Sequence, residues 1–295
     1  MTDSHLSPFT CVLDARAKLG ESPVWSVAEQ VLYWVDINGP ALHRFDPATG
    51  NDAALPMPEA IGCFALRAQG GFMVALRSGI WTASSNGKLE CKIVASPYDP
   101  ESFRFNDGRC DRQGRFFVGS MNERRDRSTA ALYRVDRDGA LVQIIGGIMI
   151  SNGLAWSPDG RTMYHADTPT HMIRAYDYDI ATGTASNPTT FAQFPGETDR
   201  PDGGAIDSGG NYWSAFYRGG KVVQLSPHGA LLAEYPISAM CPTMCAFGGS
   251  DLKTLYVTTA RQMREPDELA RLPQSGGVFA MRVDVPGLPE PSCAI

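Results

Sequence analysis

The chain has 295 residues, 43% of them hydrophobic and 20% charged, enough for a sizeable core and ordinary for a globular protein. Its formal charge of -6, with no run of Lys or Arg, speaks against nucleic acid or an anionic membrane surface as partner. Thirty glycines and 21 prolines, about 17% of the chain against roughly 12% in average usage, call for many turns.

The opening residues, MTDSHLSPFT, have neither the basic start nor the apolar stretch of a secretory signal. Nowhere do about 18 apolar residues follow one another. A soluble, cytoplasmic protein is expected, a monomer or weak homo-oligomer with a small or uncharged ligand. Residues 1–9 read as a flexible tail on a single domain spanning 1–295. The seven cysteines (11, 63, 91, 110, 241, 245 and 293) are odd in number, scattered and without a Cys-x-x-Cys pair. They read as reduced, mostly buried small hydrophobes rather than disulfides or thiolate zinc ligands.

Taken in chain order, aromatic strand-like runs recur: VLYWVDI around Tyr33, GGFMVAL around Phe72, GRFFVGS around Phe116, RTMYHAD around Tyr164, NYWSAFY around Tyr212 and KTLYVTT around Tyr256, spaced 39 to 48 residues apart. A second strand-like stretch follows each one, as in ALHRFDPATG or KVVQLSPHG. Most runs are preceded by a Gly-containing turn such as DRQG, SPDG or DSGG. Only REPDELARL, residues 264–272, reads as helix, a short turn inside a loop. About four short strands per 40 to 50 residues is the interval of a β-propeller blade. Six such units fill the chain, and TCVLDAR near the N-terminus is a spare strand able to complete the blade begun by the last repeat. The expected fold is all-β, a six-bladed propeller with four-stranded antiparallel blades; a β-sandwich or β-helix is the competing architecture.

In a propeller the innermost strand of each blade lines the central channel. It precedes the aromatic run by about ten to twelve residues here, a phase occupied by Glu21 in LGESPVW, Asn106 in RFNDGRCD, Asn152 in ISNGLAW and Asp202 in RPDGGAID. IGCFAL and TMCAFG offer no carboxylate or amide at that phase. Any single Asn-Gly or Asp-Gly reads equally as a hairpin turn, but independent turns do not require equal phase in four repeats. In ISNGLAWSPDG, then, SPDG is the turn and Asn152 a channel residue.

Two carboxylates and an amide oxygen make a hard donor set suited to a divalent cation of the calcium, magnesium or manganese kind. The five histidines (5, 43, 165, 171 and 228) show no ligand spacing and read as surface or packing residues. Such an ion, balanced by two carboxylates, leaves the site near neutral and open to a neutral substrate. Its natural chemistry is hydrolysis. The chain lacks Gly-x-Ser-x-Gly, Gly-Lys-Ser/Thr, His-Glu-x-x-His and Gly-x-Gly-x-x-Gly signatures. Arg104, two residues before Asn106, shares its strand face and either holds ligand oxygens or is simply solvated.

LGESPVW, RFNDGRCD, GSM, ISNGLAWSPDG, RPDGGAID, FGGSDLKTLYVTTAR and GGVFA resemble, in order from Leu19 to Ala280, the gluconolactonase, regucalcin and senescence-marker-protein family of six-bladed propellers. The resemblance implies a divalent metal held by Glu21, Asn152 and Asp202, with Asn106 nearby through water or substrate. It implies sugar contacts from Arg104 and Asn106, and Asp202 as general base or orienter of the attacking water. The implied activity is hydrolysis of a sugar-acid lactone, such as glucono-, xylono- or arabinono-lactone. Tolerance of several metals is implied as well: calcium, manganese, zinc, magnesium or ferrous iron. Several relatives follow GTM with a substrate-contacting acid. Here GSMNERRD puts Arg124 at that place and Glu123 one earlier, so Glu123 is the candidate for the contact only if the stretch is a loop. Two other functions fit the same pattern, a phosphotriesterase-like or aryl-ester hydrolase and a non-enzymatic calcium-binding regulator.

Overall fold

The computed structural model describes residues 7–295. The chain enters as β1 (Thr10–Leu13) and then lays down six sheets in sequence. The first blade is β2 (Gly20–Ser26), β3 (Val31–Asp36), β4 (Ala41–Asp46) and β5 (Asn51–Pro56). The second is β6 (Ile61–Leu66), β7 (Phe72–Leu76), β8 (Gly79–Ala83) and β9 (Leu89–Ala95). The third is β10 (Phe103–Cys110), β11 (Phe116–Asn122), β12 (Ala130–Val135) and β13 (Leu141–Ile148). Next come β14 (Ser151–Trp156), β15 (Thr162–Asp167), β16 (Met172–Asp179) and β17 (Thr184–Gln193), followed by β18 (Pro201–Ile206), β19 (Tyr212–Phe216), β20 (Lys221–Leu225) and β21 (Leu231–Pro236). The sixth blade is β22 (Pro242–Gly248), β23 (Thr254–Thr259) and β24 (Val278–Arg282), completed on its outside by β1. Neighbouring strands of each blade are antiparallel, and β1 pairs with β24 through Thr10↔Ala280 and Cys11↔Phe279. The spare N-terminal strand thus closes the ring, and the sixth blade packs its β22 against β2 of the first.

Burial follows radius. β2, β14, β18 and β22 are buried at every residue, because a neighbouring blade covers each face of an inner strand; β5 and β17, on the rim, are mostly exposed. The aromatic residues that mark the repeat all lie on second strands and are buried there: Tyr33, Phe72, Phe116, Tyr164, Tyr212 and Tyr256. They reach across blade boundaries. Tyr33 meets Phe72 edge-on with ring centroids 5.3 Å apart, Tyr164 meets Tyr212 at 5.4 Å, and Tyr256 stacks on Trp25 at 5.7 Å. Such pairs add to burial about 0.5–1.5 kcal/mol each. The one α-helix among the described residues, α1 (Pro266–Arg271), falls in the loop between β23 and β24 where a helical turn is expected.

Every inner strand takes one extra residue near its start. The register slips between Glu21 and Val24, Ile61 and Cys63, Phe105 and Gly108, Asn152 and Ala155, Pro201 and Gly204, and Pro242 and Met244. A bulge of this kind bends a strand and re-aims its side chains.

At the opposite end, the segment after β24 crosses under the ring. Gly287 bridges to Asp207 below β18 and Cys293 to Arg67 below β6, and Ala294 N donates to Gly114 O beyond β10 at 2.9 Å. Glu290 of this segment pairs with Arg109, near the end of β10, at 3.0 Å.

Of the tail expected over residues 1–9, residues 1–6 lie outside the described part. The remainder is anchored rather than loose: Ser7 Oγ donates to Pro236 O at 2.9 Å, and Phe9 is buried against a cluster that includes Trp213 and Phe247. The N-terminus is held because its strand must reach the sixth blade. Phe9→Ala is expected to cost about 3 kcal/mol of stability, the usual penalty for emptying a buried aromatic site. Urea unfolding measures it, and an unchanged midpoint would show that this anchor is dispensable.

Candidate active site

The structure brings Glu21, Arg104, Asn106, Asn152 and Asp202 to the lining of one cavity of about 520 Å³ at a mouth of the channel. The bulges put them there. Asn106 and Asp202 are the first unpaired residues of their bulges; Glu21 and Asn152 are the last paired residues before theirs. At the equivalent steps of the other two blades stand Gly62 and Thr243. A Cβ on Gly62 would lie 2.3 Å from Phe105 O, so that blade has no room for a side chain. Gly153, after Asn152, has φ +63°, and a Cβ there would sit 2.5 Å from the Tyr212 hydroxyl. The Asn-Gly pair therefore serves a bulge at the axis, while SPDG makes the turn between β14 and β15.

Carboxylates at the ends of second strands fix where the inner strands begin. Asp36 accepts from Lys18 N at 2.9 Å and Leu19 N at 3.0 Å, just ahead of Glu21. Asp167 accepts from Ile150 N at 2.9 Å, just ahead of Asn152. A chain of side chains then links three blades. Arg104 Nη1 donates to Asn106 Oδ1 at 2.6 Å, Asn106 Nδ2 to Asn152 Oδ1 at 2.7 Å and to Ser151 O at 2.9 Å. Asn152 Nδ2 donates to Thr168 Oγ1 at 2.7 Å, which donates to Pro201 O, beside Asp202, at 2.8 Å. Asn152 keeps one lone pair of Oδ1 for a further partner. Asn106 has both amide hydrogens committed, so it orients Asn152 in addition to lining the cavity.

Asp107, a residue that strict strand alternation would turn away, is brought close by the bulge at Asn106. Its Oδ2 accepts from Leu154 N at 3.0 Å, while Oδ1 is buried without a hydrogen-bond partner among the described residues. Burial first, and the neighbouring Asp107 charge second, push the Glu21 carboxyl up to about 8. Burial, then the charges of Glu21 and Asp107, hold the Asp202 carboxyl well above the usual range. Arg104 opposes both shifts only weakly. Among the described residues no three His, Cys, Asp or Glu side chains stand together as a metal-ligand set. What the cavity floor offers is two carboxylates and an amide oxygen, buried, short of positive charge, and all oxygen. That donor chemistry fits a hard divalent cation.

Glu123 does not line the cavity. It follows the last residue of β11, its N–H donating to Ser102 O, and its carboxylate grips Arg77 at 2.6 and 3.0 Å with Arg104 Nε at 3.6 Å. It stands behind Arg104 and holds that guanidinium toward the site. The stretch is indeed a turn, yet the side chain it sends into the cavity is neither Glu123 nor Arg124 but Arg125, whose φ is +55°.

Loop residues that no periodicity marks complete the wall: His171, Arg200, Tyr217, Arg218, Met263 and Arg264. His171 thus belongs to the cavity rather than to general surface. His165 lies behind it, buried, its Nε2 2.8 Å from Ser151 Oγ.

An antiparallel propeller of six blades with a pocket whose floor carries two carboxylates and an amide oxygen defines the class of protein. The chain belongs to the family described as SMP-30/Gluconolactonase/LRE-like region, whose profile matches residues 19–261. It is 50% identical to a 6-deoxy-6-sulfogluconolactonase of Pseudomonas putida, over 95% of this chain and 97% of that one. It is 35% identical to regucalcin of Homo sapiens, over 91% of this chain and 92% of that one. The crystal structure of a calcium-binding protein, regucalcin, from Agrobacterium tumefaciens superposes with a TM-score of 0.92, covering 97% of each chain at 26% identity. Among the described residues no helix is long and apolar enough to cross a membrane.

Burial lowers the His165 pKa to about 3. Its folded pKa lies below the ordinary 6.5, so its contribution to stability is present above 6.5 and is lost as pH falls toward 3. Between pH 7 and 4.5 this one group should remove roughly 2.5 kcal/mol. Urea unfolding at the two pH values is expected to show that much less loss in His165→Gln; an equal loss in both proteins would mean that the unfolded-state proton is not taken up by His165.

Proposed function

We propose that the chain is a lactonase that opens a sugar-acid lactone to the aldonate, aided by one divalent cation held by Glu21, Asn152 and Asp202. The observation that carries this reading is the convergence of two buried carboxylates and one amide oxygen on a single cavity, each carboxyl driven upward by burial and by its acidic neighbours. When bound, the cation supplies Lewis acidity toward the lactone carbonyl and lowers the pKa of a water beside it.

The chain's own groups do the rest. Asp202 takes a proton from the attacking water on its carboxylate and returns it to the ring oxygen as the carbon–oxygen bond breaks. With a cation held beside it to offset the burial and acidic neighbours that raise its proton affinity, its carboxylate stays free of its proton and able to act as the base. Arg104, paired with Glu123, which Arg77 in turn anchors, presents its guanidinium to sugar oxygens. Asn106 keeps the Asn152 oxygen facing the site. The reaction balances as lactone plus water giving one hydroxy acid.

Glucono-, xylono- and arabinono-lactone are candidate substrates. Similarity to a 6-deoxy-6-sulfogluconolactonase adds a gluconolactone bearing a sulfonate at carbon six. The wall, with five arginines, is unlike the wide apolar mouth that an aryl ester would call for.

Initial-rate proton release from glucono-, galactono-, xylono- and arabinono-lactone tests the reading. Protein stripped with chelator is expected to lose turnover and to regain it with calcium, manganese, zinc, magnesium or ferrous iron. Retention of full turnover after stripping would exclude the cation. Asp202→Asn is expected to lower kcat about a thousandfold while circular dichroism stays that of the wild type; undiminished hydrolysis in that variant would sink the proposed role of Asp202.

A further inference from the structure

The protein is acidic overall, with a formal charge of -6, yet its cavity is lined by five arginines against two carboxylates, Glu21 and Asp202. Two of the five are committed: Arg104 pairs with Glu123, and Arg264 with Glu268 of α1. Arg125, Arg200 and Arg218 have no carboxylate within 4.0 Å among the described residues. The nearest recorded partner of Arg200 is the Glu197 carbonyl, 3.3 Å from Nε. A divalent cation would balance Glu21 and Asp202, leaving three guanidinium groups around one opening without an ion-pair partner within 4.0 Å among the described residues.

Their placement is systematic. Arg125 follows β11, Arg218 follows β19, and Arg200 directly precedes β18, so all three come from the loops on the side where the inner strands begin. Arg125 and Arg218 sit in left-handed backbone, φ +55° and +67°, at the equivalent connection of their two blades. A neutral sugar leaves such a collar unmatched. A tetrahedral oxyanion carries three oxygens over which planar guanidinium forks can be shared.

From this we infer that Arg125, Arg200 and Arg218 form an anion subsite for a sulfonate or phosphate at the end of the sugar remote from the lactone carbonyl, so that the preferred substrate is a charged sugar-acid lactone. The inference rests on the lactonase reading above and agrees with the sulfonated candidate named there. The collar also focuses the local field, so attraction of the anion falls with salt.

The test is the ratio of kcat/KM for a charged lactone to that for neutral glucono-1,5-lactone, with 6-deoxy-6-sulfogluconolactone and 6-phosphogluconolactone as the two charged probes. The ratio is expected to favour a charged probe at low salt and to shrink as sodium chloride is added. Arg125→Gln, Arg200→Gln and Arg218→Gln should each lower it about tenfold, chiefly through KM, as for loss of a charge-assisted hydrogen bond. The probe whose ratio responds identifies the oxyanion. A ratio near or below one, or one that the triple variant leaves unmoved, would overturn the subsite. Should no lactone of either kind be turned over, the lactonase reading itself fails. Calorimetric titration with 6-phosphogluconate against gluconate then decides the subsite: tighter binding of the phosphate, lost in the triple variant, upholds it, and equal binding removes it.

Discussion

Glu21 and Asp202 are buried at the floor of one cavity, and their charges, with that of Asp107, act on one another. Burial first, and then these like charges, raise the proton affinity of both groups and oppose folding unless a cation or a proton offsets them. Much of the surrounding structure holds these groups in spite of that cost. Asp36 and Asp167 clamp the strand entries, the bulges aim the side chains inward, and the chain from Arg104 through Asn106, Asn152 and Thr168 to Pro201 O ties three blades together at the axis. Inter-blade aromatic pairs supply the packing that makes the ring rigid enough to keep the arrangement.

The propeller was legible in the sequence because a blade is a local object: each aromatic on a second strand is buried by the next blade, so its spacing is written into the chain. The same phase located Glu21, Asn106, Asn152 and Asp202. It stopped there for a physical reason. Period-two alternation assigns Asp107 to the opposite face from Asn106, and the extra residue between Phe105 and Gly108 cancels that rule. Glu123 misled because the turn after Asn122 directs its carboxylate to Arg77. Arg125, Arg200, Arg218 and His171 come from loops whose course depends on tertiary packing, so no pattern in the chain announces that they share a wall. Nor did anything in the last nine residues foretell a segment crossing beneath three blades.

The site separates two kinds of electrostatics along one axis. At the floor, acidic groups are buried and share a deficit of positive charge; at the rim, guanidinium groups are half-buried or exposed and have a surplus of it. Arg104 is the hinge between the two layers, buried, its own pKa lowered by desolvation, and bound on one side to Glu123 and on the other to Asn106. A ligand with a polarisable carbonyl at one end and negative charge at the other would match both layers at once.

The C-terminal segment gives the channel a direction of traffic. Gly287, Glu290 and Cys293 bind strand ends across its far side, so the approach to the cavity lies on the side where the inner strands begin. Opening a lactone creates a new carboxylate, so the departing acid carries one more negative charge than the molecule that came in, and it departs past three arginines. Entrance and exit therefore compete, and the collar that draws substrate inward also slows the clearance of product.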